Sequence, residues 1–146
     1  MNFNLKVILG VALLIAAALG AILFLGGGEA KEVEAVLREA FEAARRGDSE
    51  GVIRHISPRY DTPGTNYEEA CMHLRGMVGP GKYQDLELND LDISAMGESA
   101  RATCTLKIVQ PKNLPLPFIN RKLLIDLRKE QERWMVIAVE APAPER

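Results

Sequence analysis

Histidine and cysteine are scarce in this sequence: its 146 residues include two of each. His55 and His73 form neither an HxH nor an HExxH motif, and no carboxylate cluster accompanies them, so no metal ligand set is present. Cys71 and Cys104 are too far apart for a CxxC redox or zinc motif. An excess of one charge sign is also missing. With 18 Lys and Arg against 20 Asp and Glu the net charge is −2, without the clustered basic surface that nucleic acid requires. "GPGK" at 79–82 lacks the spacing and the strand-to-helix context of a phosphate-cradling loop. The sequence therefore calls for no metal or other cofactor, and it excludes nucleic acid as a partner.

What it does have is one long apolar run. Val7 to Leu25, "VILGVALLIAAALGAILFL", contains no charged or strongly polar side chain. As a helix it would reach roughly 28 Å at about 1.5 Å per residue, enough to cross a bilayer's hydrocarbon core. A cleavable signal peptide has an apolar region of only about 7 to 15 residues and ends at a small-x-small site; Gly28-Glu29-Ala30 is a weak version of one, and no Cys follows the run for lipid attachment. Lys6 precedes the run, whereas "GGGEAKEVE" after it carries three acids and one base. The basic flank stays inside. The expectation is a single-pass anchor in the cytoplasmic membrane, amino terminus inside, with the remaining chain in the periplasm or another extracytoplasmic space. Residues 1–28 then form the anchor and a Gly hinge, 29–141 one domain, and 142–146 a frayed tail. In an oxidising compartment Cys71 and Cys104 can form a disulfide; two buried free thiols are the equal alternative.

Beyond the hinge, Val33, Val36, Leu37, Ala40, Phe41 and Ala44 recur at offsets of three and four, the period of an amphipathic helix. Arg46-Gly47-Asp48 spells the tripeptide gripped by adhesion receptors, but three-residue motifs carry a high false-positive rate. Gly47 suits a left-handed helix stop, and Asp48 or Ser49 a cap for a short second helix through Ile56. A polar loop, "PRYDTPGTNY", follows. Thr65 and Glu68 read as a capping box opening a third helix to about Met77, with Tyr67, Ala70, Cys71, Leu74 and Met77 on one stripe. From Tyr83 the period becomes that of strands: Leu86, Leu88, Leu91 and Ile93 alternate with a phase slip at Asn89-Asp90 that implies a bulge. "MGES" turns into Ala102, Cys104, Leu106 and Ile108. After a proline-rich stretch over 110–121 come a third strand at Leu123, Ile125 and Leu127 and a fourth at "WMVIAVE". Helices followed by an antiparallel meander make an α+β domain.

These elements resemble the nuclear transport factor two-like superfamily, the cone fold that also holds SnoaL-like, ketosteroid isomerase and cystatin-like members. The residues that carry the resemblance are "ARRGDSEGVIRHIS", "PRYD", "LDISAMGESARATCTL" and "LLIDLRKEQERWMVIAVE", together spanning about 31–140. The resemblance implies three helices packed on a curved antiparallel sheet of about four strands, and it is nearest to membrane-tethered or secreted bacterial members of undescribed function. It implies no catalytic residue by itself.

Enzymes of that superfamily work inside the cone, with a base and a group that holds the substrate oxygen. Tyr60 and Asp61, with Tyr67 nearby, are the pocket candidates. His55 and His73 are placed at the edges of helix stripes rather than inward, and Asp126 on the wet face of its strand. Leu114, Leu116, Phe118 and Ile119 make the proline-rich stretch unusually apolar for a loop; exposed, they mark a partner contact, and folded inward they cap the cone. The leading expectation is a tethered, non-catalytic scaffold or accessory subunit that binds a protein partner or dimerises. A carrier, lyase or isomerase site for a small apolar ligand in the cone is the alternative.

Overall fold

The computed structural model describes residues 28–142. Among these no helix is long and apolar enough to cross a membrane; the run from Val7 to Leu25, the hinge before Gly28 and residues 143–146 lie outside them. Helix α1 covers residues 28–45, so Gly28 is already helical. α2 spans Ser49–Ile53, β1 Asp61–Thr62, β2 Thr65–Asn66 and α3 Tyr67–Met77. The strands β3 (Asp85–Met96), β4 (Ser99–Val109), β5 (Phe118–Glu130) and β6 (Arg133–Glu140) form one antiparallel sheet in sequence order. The helices and the small β1–β2 hairpin lie over one face of it.

Strand alternation sets which side chains meet the helices. Ala100, Ala102 and Cys104 of β4 pair with Leu127, Ile125 and Leu123 of β5 on the inner face. Against them lie Val33 and Leu37 of α1, with Trp134 and Val136 of β6. Each large aliphatic side chain fully buried here stabilises the fold by roughly 1.5–3 kcal/mol. α1 is also held by polar contacts at both ends: Trp134 Nε1 donates to Glu32 Oε2 at 3.0 Å, and Arg45 Nε donates to Asp85 Oδ1 at 2.8 Å. The outer face is wet, and Arg101 pairs there with Asp126 as the alternation requires.

Four local expectations are revised. α2 ends at Ile53, not Ile56, because Ile56 leaves the helix to form a parallel bridge with Val136. Asn66, not Thr65, caps α3: its side chain accepts from the Glu69 amide, while Thr65 pairs with Thr62 across the Pro63-Gly64 turn. Met77 stands 62% exposed rather than on a buried stripe. The strand after the proline-rich stretch begins at Phe118, which pairs with Val109, so only 110–117 is loop. The predicted bulge is present between Asn89 and Asp92, with Asp90 at φ 54. Cys71 and Cys104 are both buried free thiols, not a disulfide.

Gly47 is the corner of the helical layer. Its φ of 75° lies in the left-handed region, and a Cβ there would stand 2.8 Å from Pro80 N and 2.9 Å from Gly79 C. Asp48 then caps α2 by accepting from the Gly51 amide at 3.0 Å. The Arg-Gly-Asp tripeptide is thus a packed corner between two helices rather than a protruding loop. Gly47→Ala combines backbone strain with a backbone clash and is expected to destabilise the domain by about 1–3 kcal/mol. Urea unfolding checks this; an unchanged midpoint would show that the corner relaxes freely.

Candidate functional site

Between helices and sheet lies a cavity of about 600 Å³, within the roughly 300–1,000 Å³ typical of small-molecule sites. Its wall is built by alternation and helical period together. α1 supplies Leu37 and Phe41, α3 supplies Leu74, and the inner sheet face supplies Leu88, Leu106 and Leu123. These side chains sit on core-facing positions of their elements, yet Phe41, Leu74, Leu88, Leu106 and Leu123 are only half-buried, because the space in front of them is empty.

Few polar groups face this interior. Tyr60 lines the cavity and is buried, but its hydroxyl is committed to β6: it accepts from the Val139 amide at 3.2 Å and donates to the Val139 carbonyl at 3.5 Å. Tyr83 also lines it and donates its hydroxyl to the Ala44 carbonyl at the end of α1. Thr62 and Thr65 of the small hairpin form part of the rim.

His55 lines the cavity as well, and it is buried at 5% exposure. The backbone sets this placement. After α2 ends, the His55 carbonyl accepts from Val136 N at 2.8 Å and Ser57 N donates to the Val136 carbonyl at 2.8 Å, which fastens residues 55–57 along β6. Treating 49–56 as a continuous helix puts His55 at the edge of a stripe; the turn at 54–55 brings it inward. Its Nε2 is shut off from solvent without a hydrogen-bond partner, and Glu39 Oε2 of α1 lies 3.8 Å away. Burial holds the imidazole below its ordinary value; Glu39 pulls the other way, and Arg133 and Arg54 add to the depression. The neutral ring is therefore the form the fold favours.

The other sequence candidates do not gather here. Asp61 is exposed on β1, pairing along the backbone with Asn66, and is not part of the wall. Tyr67 is half-buried on α3, outside the wall, where a hydrogen bond with Cys71 raises its pKa. Tyr60 and Asp61 are neighbours in sequence whose side chains serve different surroundings. His73 lines the cavity from the exposed side of α3. Arg121 of β5 lines it too, on the same inner face as Leu123 and Ile125. Sequence reasoning missed Arg121 although its signal was readable: from Ile119 to Leu127 every second residue is apolar except position 121.

Leu114 and Leu116 are exposed on the 110–117 loop. Phe118 and Ile119 do not extend that patch as one surface, because adjacent strand residues point to opposite faces. Phe118 lies on the outer face under Lys107 Nζ, 4.7 Å from the ring centroid, and Ile119 lies on the inner face. Among the described residues no three of His, Cys, Asp and Glu come together as a metal-binding group.

No family model and no curated protein matches the chain. Solved structures do. An NTF2-like protein of unknown function from Pseudomonas putida superimposes with a TM-score of 0.65 at 19% identity over 78% of this chain and 85% of that one. A proposed dehydratase of the NTF2-like family from Streptomyces avermitilis gives 0.63 at 17% identity, over 82% of this chain and 99% of that one. Bd1075 of Bdellovibrio bacteriovorus gives 0.64 at 15% identity over 78% of this chain, which spans only 41% of that longer protein. The chain has the NTF2-like, cystatin-like fold.

The His55 environment makes stability depend on pH. The folded pKa lies below the unfolded one, so the unfolded chain binds more protons once the pH drops to about 6.5; stability is intact above that value and declines below it. Urea unfolding at about pH 7.5 and about pH 5.5 is expected to show a larger loss for the wild type than for His55→Gln. Equal losses would mean that this imidazole titrates alike in both states.

Proposed function

We propose that the domain binds a small, mainly apolar molecule in its cone, as a carrier or ligand-sensing module. The observation that carries this reading is the unfilled cavity of about 600 Å³ behind Leu88, Leu106 and Leu123, with His55 as a polar handle in its wall. A scaffold acting only through its exterior has no need of such a void, and an apolar core left unfilled forgoes packing energy. Binding fits the polar groups better than turnover does. A dehydratase, the reaction proposed for the Streptomyces neighbour, needs an acid and a base converging on one substrate. Here the Tyr60 hydroxyl is committed to Val139 and Asp61 faces water.

The neutral probe octanol tests the reading. Titrated into the full chain in nanodiscs and followed by NMR, it is expected to shift the methyl signals of Leu88, Leu106 and Leu123. Leu106→Trp, which fills the cavity, should weaken that binding by roughly tenfold or more while leaving the remaining spectrum folded. Absence of those shifts in the wild type would sink the proposal.

A second reading concerns the exterior. Leu114 and Leu116 are 45% and 63% exposed on a proline-rich loop away from the cavity wall, and paired exposed leucines favour a protein contact. With the Val7 to Leu25 run as a membrane tether, the domain would present this loop to a partner or a second copy outside the cytoplasmic membrane. The full chain is then expected in the membrane fraction, cross-linked to another polypeptide through this loop, with the cross-link lost in Leu116→Glu. Recovery as a soluble, uncross-linked monomer would overturn that reading.

A further inference from the structure

The described residues that line the cavity include a single permanently charged side chain, Arg121. Its surroundings on the sheet are apolar. Leu106 lies directly opposite across the β4–β5 ladder, and Ile119 and Leu123 flank it two residues away along the same face. Among the described residues no carboxylate lies within ion-pair reach of it, whereas Arg38, Arg45, Arg75 and Arg101 each hold one. Its place in the fold is at the rim. β6 pairs with β5 only from Leu124 onward, so the 118–123 end of β5 runs past its neighbour, and Arg121 remains exposed while its strand face continues into the cavity.

A guanidinium with five donors and no acceptor, standing at the mouth of an apolar cavity, selects a planar anion attached to an apolar body. We propose that Arg121 receives the head of the ligand and that the ligand is an amphipathic carboxylate, its chain in the cavity among Leu88, Leu106 and Leu123 and its carboxylate at the rim. This rests on the binding reading above and adds the chemical class of the ligand. The geometry assigns the carboxylate to the rim, where both ions keep part of their hydration, so the large cost of burying an ion pair is avoided.

The test compares three probes of equal chain length, octanoate, octanol and octylammonium, by NMR titration of the full chain in nanodiscs, with empty nanodiscs as the partition control. Octanoate is expected to bind roughly tenfold more tightly than octanol, and octylammonium more weakly than either. Arg121→Gln should abolish the preference for octanoate over octanol, and Arg121→Lys should keep part of it. Equal binding of octanoate and octanol to the wild type, or an octanoate preference that survives Arg121→Gln, would overturn the inference while leaving the cavity's ligand role intact. Failure of octanol itself to bind would count against that underlying role. Because Arg121 is exposed and has no ion-pair partner among the described residues, its variants are expected to fold; an unchanged ligand-free amide spectrum verifies that directly.

Discussion

The position of the helical layer depends on a short backbone ladder between residues 55–57 and the middle of β6. Val136 donates to the His55 carbonyl, accepts from the Ser57 amide, and forms a parallel bridge with Ile56. Buried backbone groups must be paired, and here a strand segment pairs them where a further helical turn could not. The ladder ends α2 after five residues, turns the His55 side chain into the cone and aims the following segment so that Tyr60 meets Val139. Ser57, fully buried, donates to Glu130 Oε1 at 2.7 Å and accepts from the Arg59 amide at 3.0 Å, locking the same segment to the end of β5. Gly47 at one end and this ladder at the other leave α2 little freedom to move.

The cavity follows from a mismatch of lengths. Strand residues advance about 3.3 Å each and helical residues about 1.5 Å. β5, at 13 residues, is therefore roughly 43 Å long, whereas α3, at 11 residues, covers only about 16 Å. The sheet therefore extends well beyond α3 along its length. At the covered end Ala100, Ala102 and Leu127 are tightly packed against Val33. At the other end the same alternation continues with Leu106, Ile108 and Leu123 but nothing fills the space before them. Sheet side chains large enough to make a core line a void instead.

Much of this was legible in the sequence. Three helices, the bulge at Asn89-Asp90, the hairpin at 96–99 and the inner parity of β4 all follow from spacing, because each is a local rule with a local cause. Two of the failures share a different cause: a strand pairing overrode a local pattern. Asp48 to Ile56 has the composition of one helix, and only the β6 partner, 80 residues downstream of Ile56 at Val136, ends it early. Pro111, Pro115 and Pro117 suggest loop up to 121, yet Pro117 is the last proline of that stretch, and Val109 offers a ladder partner that captures Phe118 onward. Starting β5 at 118 is what places Arg121 on the inner face. His55 was thus hidden by an element boundary, whereas Arg121 was readable from the alternation between Ile119 and Leu127.

The polar groups of the cone divide by whether their hydrogen-bonding capacity is already used. Tyr60, Tyr83 and Ser57 are satisfied by backbone carbonyls, amides or Glu130, so each holds one element to another and has little left for a visitor. A buried polar atom without a partner costs about 1–3 kcal/mol, and such a cost persists only where something else compensates it. His55 Nε2 is such an atom, with Glu39 too far away, at 3.8 Å, for a good hydrogen bond. Arg121 is the complementary case, a charge kept among leucines when Glu87, Asp92 and Asp126 all occupy the opposite face of the same sheet. Swapping either group for an apolar residue would make a more ordinary core. Both groups keep hydrogen-bonding capacity that the described residues do not use, one inside the wall and one at its rim.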